Sequence, residues 1–436
     1  MHSFLRISSY GIIFLAYLIS MSIYAPLGVN WLDFHAIRIF NAVEFLREFG
    51  QDSFGYTVWS VCKDCILESN ESETAVLYGN MHGINLFPYF IMNIIGGKDF
   101  LFFAGPLFDK FIIFVCAAIV SELMIKSLTD KTTKLPIYLV GMGCFSLFSL
   151  SPWAYKIFLG GWWEPYFLMF FLLGIYLLHY KKFIFGYLSF FLASLSSIQW
   201  GFVVTFFYLL LTITQYIFAN SNNALRYFPP NIENKNQSFK LIISLALPII
   251  FLSTFKIIAS QFVEFSPMTS SVFYRMGISG NDIHNGGLIG ALQFLGGSRM
   301  TQCFQGFSSM SLPNDTMTII AIYNCIFSIV GMVIISILSI FGVYFLIKDS
   351  ILAKKAFLPL IFALLFFIGI FQQSLSVHLM GYSFIFAALF SVGITFIMLK
   401  LQKFFGSPSL GLIFSIPCLA GILILSIRAS MLSGMA

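Results

Sequence analysis

Charge is what this sequence has least of. Acidic and basic residues together fill 10% of its 436 positions, against 58% hydrophobic residues and a mean hydropathy of +0.89. That leaves too little polar surface to clothe a water-soluble globule. Local catalytic signatures are missing as well: there is no Gly-rich phosphate loop, no HExxH pair and no nucleophile elbow. Cysteines number seven, and the one C-x-x-C, Cys62 with Cys65, has no second pair nearby to complete a zinc site. Those two form a disulfide candidate instead, and a thioredoxin-like activity is unexpected without its α/β context. No inverted internal repeat of the kind found in many secondary transporters is visible.

What the sequence has is apolar runs, each of a length to cross a hydrocarbon layer. They fall near 8–28, 101–125, 136–152, 164–180, 183–199, 201–219, 241–259, 318–347, 357–373, 379–399 and 409–427. The expected fold is all-α: a polytopic integral membrane protein of about 11 transmembrane helices, residues 1–436 forming a single transmembrane domain. The first run is read as an uncleaved helix rather than a signal peptide. The net charge of +6 then reports orientation, not nucleic-acid binding. With Arg6 and the N-terminus on the cytoplasmic side, the inner connections hold Lys126, Lys131 and Lys134, then Lys181 and Lys182, then Arg226, Lys235 and Lys240. Further along they hold Lys348, Lys354 and Lys355, then Lys400 and Lys403, so every inner loop is net basic. The boundary near "SIQWG", between the fifth and sixth runs, fixes the parity of everything after it.

Two long loops fall on the outer side, 29–100 and 260–317. The first opens with "NWLDFHAIRIFNAVEFLREFG", where Ala36, Ile39, Phe40, Val43 and Leu46 make an apolar stripe at helical spacing. This is the pattern of an amphipathic helix lying in the interface. Asp33 heads it, as an N-cap, as a carboxylate facing a cavity, or as both. Later in the same loop, "GINLFPYFIMNIIGG" is short and broken by Pro and Gly, which suits a re-entrant or interfacial helix. The second loop, rich in Gly, Ser and Asn, offers Arg275, Asp282, His284 and Arg299. Arginines there suit bidentate recognition of phosphate, or are plain solvated charge. A third outer turn, "QQSLSVH", carries His378.

Glu164 opens the fourth run behind Trp162 and Trp163, with Pro165 at a first-turn position. The carboxylate there complements the helix dipole, and the tryptophans serve either as a stacking platform for sugars or as an interfacial belt. Asp109 with Lys110, and Glu122, all inside one apolar run, are the residues that hint at transport.

The order of these parts resembles the GT-C superfamily of polytopic membrane glycosyltransferases, which use polyprenyl-phosphate-linked sugars. "LDFHAIRIFNAVEFL" is similar to the acidic motif in that family's first outer loop. "EPYFLMFFLLGIYLL" followed by "KKFIFGYLSFFLASLSSIQWG" resembles its third-to-fifth-span region. The family often shows two adjacent acids where Asp33 is followed by Phe34 and His35. The resemblance implies sugar transfer on the outer or lumenal face, with Asp33 as catalytic base. It also implies substrate binding by His35, Arg38, Trp162, Trp163, Glu164, Arg275, Asp282, His284, Arg299 and His378. Arg275 or Arg299, or Lys156, would stabilise the leaving phosphate. Partners would be the lipid-linked donor, membrane lipids and a glycan, lipid or protein acceptor, in a bacterial inner membrane or endoplasmic reticulum, with no nucleic acid. The cofactor is left open, a divalent metal included. The rival readings are a surface-polysaccharide polymerase or ligase, and a transporter or flippase of lipid-linked sugars.

Overall fold

A computed structural model describes residues 2–24, 83–128, 137–149, 151, 164–196, 198–218, 235–259, 316–370 and 375–404. These are almost wholly helical, and no strand occurs among them. In chain order the helices are α1 (His2–Tyr24), α2 (Gly83–Ser127), α3 (Ile137–Ser149), α4 (Glu164–His179) and α5 (Phe183–Ser196). Then come α6 (Ile198–Phe218), α7 (Lys235–Ala259), α8 (Thr316–Asp349), α9 (Ile351–Ile370) and α10 (Leu375–Phe404). Each coincides with one expected apolar run. The eleventh run, the amphipathic stretch 30–50, Cys62 and Cys65 lie outside the described residues. Two stretches, Asp99–Ser127 and Phe384–Phe404, are long and apolar enough to cross a membrane by length and composition.

Two breaks shape the bundle. In α2 the backbone at Gly97 takes φ 69° and ψ −166°, a conformation essentially reserved for glycine. Along an unbroken helix Tyr89 and Asp109 would stand about 30 Å apart, yet their side chains are hydrogen-bonded. The chain therefore doubles back at Gly97, and the 83–96 arm lies against the longer one. The stretch expected as a re-entrant or interfacial helix is thus the short helical arm of this hairpin, joined at Gly97 to the longer arm. The second break separates α5 from α6. Phe190 and Tyr208, 18 positions apart, stack with ring centroids at 5.4 Å, so the chain folds back between them and the two helices are distinct. His378, expected in a turn, lies in the first turn of α10.

Aromatic rings tie the helices together. Tyr10 stacks on Phe145 at 4.8 Å, linking α1 to α3. Phe148 meets Phe384 edge-on at 5.2 Å, linking α3 to α10. Phe171 meets both Phe190 and Tyr208 at 5.8 Å, closing α4, α5 and α6 around one point. Edge-to-face pairs of this kind add about 0.5–1.5 kcal/mol each beyond the area they bury. Between α8 and α10 the backbones themselves touch: a Cβ on Gly342 would overlap the carbonyl of Gly393, and one on Gly393 would overlap the backbone of Ser339. Small residues at a crossing allow this approach.

The basic ends gather. Arg6 of α1 pairs with Glu122 near the end of α2. Lys126, one turn later, sits 5.5 Å over the ring of Tyr180 at the α4–α5 turn. His179, Gln237 and Lys355 line one cavity, bringing the start of α7 and of α9 to the same place. Asp349 and Lys400 meet at 3.3 Å, adding the α8–α9 junction and the last turns of α10. That junction is sharp because Ser350 receives the Ala353 amide on its hydroxyl at 3.3 Å, an N-cap that starts α9 directly.

Candidate functional site

At the opposite end, the head of α4 meets the hairpin of α2. Pro165 lacks an N–H and is pre-set for the first helical turn, so the sequence Glu164-Pro165 starts α4 cleanly. The carbonyl of Pro165 accepts a hydrogen bond from the thiol of Cys116 at 3.2 Å, which seats that turn against α2. Next in sequence, Tyr166 turns inward and is 4% exposed.

There it joins Tyr89 and Asp109. The Tyr89 hydroxyl donates to Asp109 Oδ1. The Tyr166 hydroxyl lies 2.6 Å from that of Tyr89 and 3.5 Å from Asp109 Oδ1. With one proton on each phenol, the arrangement runs from Tyr166 to Tyr89 to the carboxylate, each oxygen donating to the next. An ionised carboxylate only accepts, and bonds to it are the strong ones, so this chain suits a charged Asp109. Phe108 flanks both phenols, its ring centroid 6.1 Å from that of Tyr89 and 6.3 Å from that of Tyr166. Lys110, buried like its neighbour, reaches the carbonyl of Pro106 at 3.5 Å. The result is a buried carboxylate with Lys110 next to it in sequence and two phenols upon it, beside the first turn of α4.

Glu122 has a different explanation. Its carboxylate takes Arg6 Nε at 2.5 Å and Nη2 at 2.8 Å, with the Tyr10 hydroxyl at 3.5 Å. Gly141 makes room for this, since a Cβ there would meet both Tyr10 and Arg6. Glu122 is thus part of a lock between α1, α2 and α3 at the basic end.

Of the expected site residues, Glu164 and His378 have described backbone, at the heads of α4 and α10. Asp33, His35, Arg38, Trp162, Trp163, Arg275, Asp282, His284 and Arg299 lie outside the described residues, as does Lys156. Among the described residues no group of three His, Cys, Asp or Glu side chains is placed to hold a metal ion. Tyr89 and Tyr166 were not anticipated. The signal for them was Asp109 itself, a carboxylate in an apolar run that needs donors, but nothing local says which of 19 tyrosines supply them. No family model, no characterised protein and no solved structure matches this chain.

Proposed function

We propose that the chain is a polytopic membrane glycosyltransferase of GT-C type, moving a sugar from a polyprenyl-phosphate donor to an acceptor on the outer or lumenal face. The observation that carries this reading is the buried carboxylate of Asp109, hydrogen-bonded to Tyr166 at the head of α4, at the end of the bundle opposite Lys126, Lys355 and Lys400. From Asp109 to Lys126 the helix rises about 25 Å, close to the depth of a hydrocarbon core. The membrane reading has its own support. Helix α8 turns Ile334, Ile337, Leu338, Phe341, Tyr344 and Phe345 outward, and α5 turns out Ile184, Phe185 and Leu188. An apolar surface of that extent suits lipid rather than water. The clustering of lysines at one end is what the positive-inside rule asks of an even set of crossings.

In this scheme the acceptor oxygen attacks the anomeric carbon, its proton passes to the Asp33 carboxylate, and the bond from that carbon to the phosphate oxygen breaks. The bonding pair leaves with the polyprenyl phosphate, whose charge Arg275 or Arg299 would stabilise. One displacement inverts the anomeric centre. Asp109, with its two phenols, fixes the head of α4 and so positions the mouth.

A buried acid with tyrosines inside a helical bundle also suits a transport pathway for a lipid-linked sugar. One experiment separates the two. Membranes with the wild-type chain or Asp33→Asn are given a labelled polyprenyl-phosphate sugar, with and without chelator, and transferred label is counted. The transferase reading expects product from wild type and a loss of at least about a hundredfold in the variant. Full activity in the variant, expressed at the normal level, removes Asp33 as base. Movement of label across the membrane with no product favours transport.

A further inference from the structure

We propose that a cavity at the basic end binds the headgroup of an anionic phospholipid from the adjoining leaflet. The proposal rests on the membrane reading above and is independent of the transferase chemistry. The cavity holds about 270 Å3 and lies between α4, α5, α6, α7 and α9. Its floor and walls are apolar, with Ile175, Leu178 and Leu241 among them. Its polar groups are His179, Lys355, Gln237, Tyr187 and Tyr208. All can donate a hydrogen bond to a phosphate oxygen, and none is an obligate acceptor.

Among the described residues, the charges nearest the cavity are mostly basic, and Asp349 of the same end is held by Lys400. The ionic groups that act on His179 are Lys126 and Lys355, both cations. Lys181 and Lys182 follow in the adjoining turn, and both are exposed. Exposed lysines of this density around an open cavity attract an anion to its mouth. A basic pocket between membrane helices on the positive side is suited to a phosphodiester headgroup.

A lipid fits better than free phosphate because of what flanks the cavity. Ile184 follows Phe183 of the lining, and Leu188 follows Tyr187; they are 79% and 51% exposed. Ile243, two residues past Leu241, also faces outward. A headgroup in the cavity would thus have an apolar outer surface beside it for its chains.

The test uses the full chain purified in a neutral detergent, with unfolding temperature as readout. Short-chain phosphatidylglycerol, short-chain phosphatidylcholine and inorganic phosphate are titrated separately. The expected result is a saturable upward shift with phosphatidylglycerol that phosphatidylcholine does not give, since ligand bound to the folded state alone stabilises it. Lys355→Gln and His179→Ala each weaken the shift and together abolish it, whereas Lys355→Arg keeps it. Lys403→Gln, at the same end but outside the cavity lining, also keeps it. If Lys355→Gln does not fold, Gln237→Glu puts a repelling charge at the partly exposed rim and loses the shift. An equal response to phosphatidylcholine, or equal loss in Lys403→Gln, overturns the site in favour of diffuse adsorption. A full shift with inorganic phosphate overturns the lipid and leaves a phosphate site.

Discussion

Arg6 and Glu122, 116 positions apart in sequence, face each other as a two-pronged ion pair, Nε to Oε1 at 2.5 Å and Nη2 to Oε2 at 2.8 Å. The side chains are 10% and 16% exposed, so each ion depends on the other for most of its solvation. Removing one leaves an uncompensated charge, and each of Arg6→Met and Glu122→Leu should cost about 3–5 kcal/mol. The double variant should lose less than the sum of the two and less than Glu122→Leu plus a small packing term. A double-mutant cycle on unfolding temperature in detergent reads this coupling, and additive losses would show that the pair is decorative.

Gly97 and Gly143 separate space from backbone. A Cβ at either would meet nothing within 4 Å. Gly97 holds φ 69° and ψ −166°, which a side chain strains, whereas Gly143 sits in ordinary helix. Gly97→Ala should therefore cost about 1–3 kcal/mol, and Gly143→Ala should gain about 0.5–1 kcal/mol. Gly393→Ala adds a third case: the backbone is permissive but the added carbon overlaps Ser339 of α8. Its cost should be about 3 kcal/mol, the upper range of overpacking, because a backbone gives way less than a side chain. Equal effects at Gly97 and Gly143 would contradict the hairpin.

Lys181 is the one non-glycine at positive φ among the described residues, with φ 58°. It closes α4 in a Schellman motif, its own amide bonding to Leu178 O at 3.0 Å and that of Lys182 to Leu177 O at 2.9 Å. Lys181→Gly relieves the left-handed strain and should stabilise the fold by about 1 kcal/mol. Lys181→Val should destabilise it by a similar amount, since branching at Cβ worsens the same clash. Chemical unfolding of both variants gives the sign directly.

The order of helices was legible because it rests on run length alone. Ten of the eleven apolar runs map onto the ten described helices, and Lys126, Lys355 and Lys400 lie at one end of the bundle. The α5–α6 boundary was harder, because Ser197 sits in a stretch with no proline and no charge, and only the return of Tyr208 onto Phe190 settles it. Glu122 looked like a transport residue from sequence, since nothing local reveals that Arg6 would arrive from another helix. The same holds for Asp109: its place in an apolar run was visible, while its donors came from a hairpin arm and from the next helix but one. Long-range pairs of polar groups leave no periodic trace. Of the expected catalytic set, Asp33 and the arginines of 260–317 lie beyond the described residues.

The two phenols at Asp109 should not be equivalent. Tyr89 bonds directly to the carboxylate and also touches Tyr166, whereas Tyr166 stands 3.5 Å from Asp109 and works mainly through Tyr89. Tyr89→Phe strips the carboxylate of its near donor and interrupts the chain. A loss of about 2–3 kcal/mol is expected, the range for hydrogen bonds to charged groups. Tyr166→Phe leaves the Tyr89 bond in place and should cost about 1 kcal/mol. Asp109→Asn keeps an acceptor and loses the charge, so in that background the two Phe substitutions should cost about the same. Measuring the four unfolding temperatures together decides it: an Asp109→Asn background that preserves the difference would mean the carboxylate's charge plays no part in holding the head of α4.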